Sequence, residues 1–99
     1  MEEDFYFVEL YELYKNLLTE NQRTAFHSHY LLDLSLAEIA ENMGVGRQSV
    51  YETIKVVKNR LNELENGLGL YKKANELKQI AKDTTDKKTA EEILSLLGE

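Results

Sequence analysis

The residues best suited to chemistry lie close together, within residues 47–58. They combine cations, hydrogen-bonding side chains and one aromatic ring: Arg47, Gln48, Ser49, Tyr51, Glu52, Lys55 and Lys58. On a helix most of them project away from Val50 and Ile54 or flank that outward side. Arginine reads guanine and glutamine reads adenine, whereas serine and lysine bind phosphates. The segment therefore predicts a nucleic-acid-binding surface.

The charge distribution sets this segment apart from the rest of the chain. Residues 45–60 contain four basic residues against the single Glu52, a net charge of +3. Residues 1–44 contain two basic and nine acidic residues, and residues 61–99 contain six and eight. A local basic segment in a protein of net charge −6 is compatible with phosphate contact, and equally with a solvated helix face of mixed charge.

No catalytic, cofactor or metal site is expected. The chain has no cysteine, which excludes thiol catalysis, disulfides and cysteine-type zinc sites. His27 and His29 are two residues apart, so a helix turns them to different sides, and no third ligand has metal spacing. There is no glycine-rich phosphate loop and no recognisable nucleophile. We predict a protein that acts by binding and is not an enzyme.

The elements that must position the predicted surface are all helical. The 99 residues include no proline, and apolar residues at helical spacing predict a first helix over residues 4–17. Thr19 with Gln22 forms a capping box that opens a second helix over residues 20–32, and Ser35 with Glu38 opens a third. The fold class predicted is all-α: a helix-turn-helix bundle with a long helical extension.

Residues 36–55 match the helix-turn-helix pattern. The inward positions of its two helices are apolar: Leu36, Ile39, Met43, Val50 and Ile54. Ala40 is small, as close crossing of the helices requires, and Gly44 suits a turn with positive φ. Val45 is expected to fill the turn. With the preceding helices, this motif makes up a predicted domain of residues 1–60.

The fourth helix continues a heptad-like apolar stripe beyond the motif. Its members follow 4-3 spacing: Val50, Ile54, Val57, Leu61, Leu64, Leu68 and Tyr71. We expect Leu61, Leu64, Leu68 and Tyr71 to support a homodimer, unless the first or the last helix folds back over them. Gly67 and Gly69 favour a break in the helix. Residues 61–99 are thus predicted to form an extension that packs on the bundle or on a partner chain.

Residues 11–81 resemble the YlxM family of bacterial helix-turn-helix proteins. The resemblance is carried by five segments: residues 17–23, 30–33, 35–41, 47–55 and 70–73. It implies a regulatory component of the signal recognition particle pathway that binds nucleic acid, the particle's protein, or both. The helix-turn-helix is also similar to the promoter-reading domain of sigma factors. Gly46 departs from the pattern, because a serine cap is usual there, and residues 83–99 do not carry the resemblance.

Three functional hypotheses follow. The first is the regulatory component of the signal recognition particle pathway. The second is a DNA-binding transcriptional regulator like a sigma-factor domain, and the third is an adaptor that binds only protein. The chain lacks a run of about 18 apolar residues and begins with acidic residues, so we expect a cytoplasmic protein without membrane insertion.

Overall fold

The computed structural model describes residues 2–99, and it is helical throughout that range. Six α-helices and one short 3-10 helix follow one another: α1 (Glu2–Tyr14), the 3-10 helix (Lys15–Leu17), α2 (Glu20–Tyr30), α3 (Leu36–Met43), α4 (Arg47–Leu68), α5 (Leu70–Asp83) and α6 (Lys87–Leu96). No strand occurs among the described residues. The all-α prediction is therefore confirmed.

The chain divides into two compact units. The first ends at Gly67 and contains α1, α2, α3 and nearly all of α4. The second, Leu68–Glu99, contains α5 and α6. Residues 61–67 group with the first unit, so this division falls seven residues after the boundary predicted from the sequence at residue 60.

Side-chain caps fix the beginnings of α2 and α3. The Thr19 hydroxyl accepts from the backbone N–H of Gln22 at 3.2 Å, and the Gln22 side chain accepts from the N–H of Thr19 at 2.9 Å. Ser35 and Glu38 make the same reciprocal pair, both bonds at 3.1 Å. Both predicted capping boxes are confirmed, because each satisfies two backbone N–H groups that the helix cannot pair.

The helix-turn-helix has its own buried cluster. It comprises Ala25 of α2, Ile39 and Ala40 of α3, and Val50 and Ile54 of α4. Tyr30, Leu34, Leu36 and Met43 pack around it. Ala40 is only 6% exposed, as expected of a small residue where helices cross closely.

The turn of the motif depends on Gly44. Its φ of 70° lies in the left-handed region, and its N–H bonds to the carbonyls of Ala40 and Glu41. A glycine adopts this conformation without steric cost, so α3 ends here and α4 begins at Arg47. The prediction that Val45 fills the turn is wrong, because 44% of its surface is exposed.

Helix α1 lies beside α4 and runs in the same direction. Near its start, the ring of Phe7 lies 5.2 Å from the Lys58 ammonium. Near its end, the Tyr14 hydroxyl donates to Glu65 at 2.7 Å. The two contacts are seven residues apart on both helices, which requires a parallel arrangement. Leu61 falls between them and is fully buried.

The second unit is a helical hairpin. Gly69, with φ 64°, interrupts the helix after Leu68, so the break that the glycines favoured occurs at Gly69. Asp86 caps α6 by accepting from the backbone N–H groups of Lys88 and Thr89, at 3.1 and 3.3 Å. Within this unit Ala81 is the one buried hydrophobic residue among those that the structure describes.

Candidate nucleic-acid interface

Most of the predicted contact residues lie on the solvent side of the first two turns of α4. Six of them are exposed: Arg47, Gln48, Ser49, Tyr51, Glu52 and Lys55. We call these six residues the recognition face. Val50 and Ile54 anchor the same turns in the core, with 1% and 6% of their surface exposed. The helix is thus held from below while the recognition face stays accessible.

Two hydrogen bonds organise the recognition face. The side-chain amide of Gln48 donates to the Glu52 carboxylate at 2.9 Å. The Thr53 hydroxyl donates to the backbone carbonyl of Ser49, also at 2.9 Å. Glu52 therefore places a negative charge in the middle of the face, partly satisfied by Gln48, and a phosphate would be repelled there. Cations at either end must provide any phosphate contact.

Lys58, the seventh predicted residue, is not on the open surface. It is half-buried, and its ammonium lies 5.2 Å from the Phe7 ring and 5.1 Å from the Tyr30 ring. Burial by itself lowers the pKa of Lys58, but a hydrogen bond with Tyr30 and the charges of Asp4 and Glu3 outweigh burial and raise it. The charge of Lys58 thus ties α4 to α1 and α2.

Arg47 and Lys55 differ from the other cations of the first unit. The others interact within the chain: Lys15 with Glu12 at 3.1 Å, Arg60 with Glu63 at 3.6 Å, Arg23 with two backbone carbonyls, and Lys58 with two rings. In the described part of the chain, neither Arg47 nor Lys55 has an ion-pair or hydrogen-bond partner. Eight residues separate them, about 12 Å along the helix axis.

A cleft opens beside the recognition face. Its volume is about 280 Å³, and it is lined by His29, Tyr30, Leu36, Tyr51, Ile54, Lys55 and Lys58. Tyr51 and Lys55 belong to both the cleft and the face. His29 donates from Nδ1 to the carbonyl of Leu34 at 2.9 Å, which fixes the proton on that nitrogen when the ring is neutral.

Sequence reasoning missed four of the cleft residues: His29, Tyr30, Leu36 and Ile54. Three of these fit the apolar side of a helix, so the sequence placed them in the core. They belong to α2, α3 and α4, and only the crossing of these helices brings them together at the surface. The spacing within any one helix carries no signal of that cleft.

The residues predicted to mediate self-association do not share one environment. Leu61 is fully buried inside its own chain, so its assignment to a dimer contact is wrong. The parallel packing of α1 on α4 explains this burial. Leu64 is half-buried, Leu68 is 47% exposed and Tyr71 is half-buried. Only the later members of the stripe have surface that a partner can reach.

Two further searches bear on function. Across residues 2–99 no group of three or more histidine, aspartate or glutamate side chains is arranged to hold a metal ion. Within the same range, every helix is too short or too polar to cross a membrane.

Comparison with known proteins places this geometry in a family. A family model for UPF0122, described as "Putative helix-turn-helix protein, YlxM / p13 like", matches residues 1–97. The chain belongs to this family. The match confirms the resemblance to YlxM proteins, and it extends through residues 83–97, which carried no resemblance in the sequence analysis.

Individual UPF0122 proteins are similar over most of the chain. One from Halalkalibacterium halodurans is 44% identical over 92 residues, which cover 89% of this chain and 84% of the relative. One from Caldanaerobacter subterraneus is 45% identical over 78 residues, covering 78% and 67%. One from a Geobacillus strain is 42% identical over 77 residues, covering 78% and 70%. The helix-turn-helix and the all-α fold are thus features of a UPF0122 protein.

Proposed function

We propose that this UPF0122 protein is a regulatory component of the signal recognition particle pathway that binds nucleic acid through the recognition face. One observation carries the proposal. Arg47 and Lys55 lack intramolecular partners among the described residues, whereas the other four cations of the first unit have them. A charged side chain left unpaired at the start of a recognition helix is available to a phosphate or a base edge.

The surroundings make the two cations more selective. The first 67 residues contain six basic and twelve acidic residues, so the unit has a net charge of −6. Long-range attraction for nucleic acid is therefore absent, and binding must rely on short-range contacts. Arg47 suits bidentate contact with guanine, and Lys55 suits a phosphate. We expect modest affinity with a dependence on local structure.

The proposed action is binding without catalysis, in the cytoplasm. The link to the signal recognition particle rests on the resemblance to YlxM proteins and on membership of the UPF0122 family. Within that pathway the partner is the particle's RNA, its protein, or both. Reading of promoter DNA and binding to protein alone are the alternatives that the experiment below distinguishes.

The test compares two double variants with the same change in charge. In the first variant, Arg47→Ala is combined with Lys55→Ala, which removes the unpaired cations. The control combines Lys15→Ala with Arg60→Ala, which removes cations held in exposed ion pairs that contribute little to stability. Electrophoretic shift assays use the particle's RNA and duplex DNA over a series of salt concentrations.

We expect the first variant to bind its target about tenfold more weakly or worse, because one arginine–guanine contact contributes about 1–3 kcal/mol. Its salt dependence should fall by a slope of about 1.4–1.8, the value for two lost phosphate contacts. The control should bind within about twofold of the unaltered protein. Equal losses in both variants would contradict the proposal. Preference for duplex DNA would favour a promoter reader, and binding to the particle's protein alone would favour an adaptor.

We also propose that the protein forms a homodimer through the later part of the apolar stripe. The support is Leu68, an apolar side chain that is 47% exposed at the end of α4. Leu64 and Tyr71 precede and follow it at heptad-like spacing. With Leu61 buried, the contact is smaller than the sequence predicted, and association should be correspondingly weaker.

A further inference from the structure

We propose that the cleft beside α4 binds a single unpaired nucleobase, which stacks on Tyr51 while its phosphate pairs with Lys55. The inference rests on the proposed function and specifies its ligand. The target would then be a strand with a looped-out or bulged base, and not a continuous duplex.

The Tyr51 ring is placed to receive another ring. It lines the cleft, is 50% exposed, and has no aromatic neighbour among the described residues. Tyr11 and Tyr30 are different, because each packs against Phe26, with ring centroids 4.7 and 4.6 Å apart. Those two rings belong to the core, whereas Tyr51 has an accessible surface. Stacking of a base on such a ring is tolerant of sequence.

The remaining walls of the cleft suit a flat heterocycle. Leu36 and Ile54 contribute apolar surface, and His29 contributes a ring nitrogen that can accept a hydrogen bond. Binding pockets for small molecules usually have volumes of about 300–1,000 Å³. A volume of about 280 Å³ is at the lower limit, so the cleft suits one base and not a larger ligand.

The charge at the cleft selects an anionic ligand. Lys55 lies one turn after Tyr51 on the same side of α4, lines the cleft, and has no partner among the described residues. Lys58 adds a second positive charge, held in place by the Phe7 and Tyr30 rings. An aromatic ring next to a phosphate matches this combination, and an uncharged apolar group does not. A base within a duplex is already stacked on its neighbours and would first have to be displaced.

The experiment uses the full-length protein and four labelled probes. Two are hairpins, one of RNA and one of DNA, that each carry a single bulged base. The other two are the same hairpins without the bulge. Fluorescence anisotropy gives the affinity of the unaltered protein, Tyr51→Ala, Tyr51→Phe and the Arg47→Ala/Lys55→Ala variant. Circular dichroism confirms that each variant is folded, as expected for an exposed position.

We expect the bulged hairpins to bind more tightly than the fully paired ones. Tyr51→Ala should weaken binding to the bulged probes by about 5- to 150-fold, the range for loss of one stacked base. Tyr51→Phe keeps the ring and should bind within about twofold of the unaltered protein. The RNA and DNA arms identify which backbone the protein prefers.

Two results would overturn the inference in different ways. If Tyr51→Ala binds bulged and paired probes as the unaltered protein does, while the Arg47→Ala/Lys55→Ala variant loses binding, the cleft holds no base and the proposed function stands. If the unaltered protein binds none of the probes, the proposed function fails, and the inference fails with it.

Discussion

The two units of the protein differ sharply in the core that each one buries. Among the described residues, thirteen hydrophobic side chains are buried in the first unit, and Ala81 alone is buried in the second. Burial of apolar surface is the main favourable contribution to folding. The first unit therefore holds most of the stability, and it also holds the recognition face. The second unit, with 32 residues in a helical hairpin, is expected to open at a lower cost in free energy.

The largest effect should come from truncating the same residue type in each unit. Leu61→Ala removes a fully buried side chain from the first unit, and we expect a loss of about 2–5 kcal/mol in the free energy of unfolding. Leu77→Ala is the matched control in α5, where the leucine is 41% exposed and should cost less than about 1 kcal/mol. Urea unfolding followed by circular dichroism measures both. Similar losses for the two variants would show that the units do not differ as described.

A smaller effect should come from the helix caps, one in each unit. Hydrogen bonds from the backbone and side chain of Ser35 lower the pKa of Glu38, and hydrogen bonds from Thr89 lower the pKa of Asp86. A carboxyl group whose pKa is lower in the folded state stabilises that state above its unfolded pKa. This contribution is lost as the pH falls through the folded pKa. Both caps should therefore weaken on acidification below about pH 4.

The two caps should differ in how far that weakening spreads. Ser35→Ala, in the first unit, should lower the global free energy of unfolding by about 0.5–2 kcal/mol at neutral pH. Asp86→Ala should mainly increase hydrogen exchange of the α6 amides and leave the first unit protected. Amide exchange measured by NMR at pH 7 and pH 3.5 tests both. Exchange that increases equally throughout the chain for Asp86→Ala would mean that the units unfold together.

The smallest effect on stability should come from Leu68→Lys, which tests the proposed homodimer. The side chain is 47% exposed, so the charge should weaken self-association and leave the melting temperature within a few degrees. Sedimentation equilibrium at micromolar concentrations compares this variant with Leu96→Lys, in which a leucine that is 89% exposed outside the stripe is replaced. A protein that is monomeric at every concentration would rule out the homodimer.

The features that the sequence predicted well are set by residues close together in the chain. The capping boxes at Thr19 and Ser35 need partners three residues away, and the turns at Gly44 and Gly69 depend on the φ of one residue. The recognition face follows from helical geometry, once Val50 and Ile54 are assigned to the core. Such patterns are readable because their physical causes are local.

The errors concern contacts between distant parts of the chain. Leu61 looked available because the 4-3 spacing shows that a face is apolar but not which helix covers it. Lys58 lies near the exposed side on a helical wheel, yet its long side chain reaches the rings of Phe7 and Tyr30. The cleft was missed for the same reason. Each case depends on the packing of α1 or α2 against α4, for which spacing within one helix gives no information.

The parallel packing of α1 on α4 has a consequence for the newly made chain. Tyr14 and its partner Glu65 are separated by 51 residues, so α1 leaves the ribosome well before the helix that covers it exists. At about 5–20 residues per second, the apolar side of α1 waits roughly 3–10 s for α4 to be synthesised. Meanwhile Phe7, Leu10 and Tyr11 have no native neighbour on α4. The protein's own first helix is therefore the segment most in need of protection from premature association during translation.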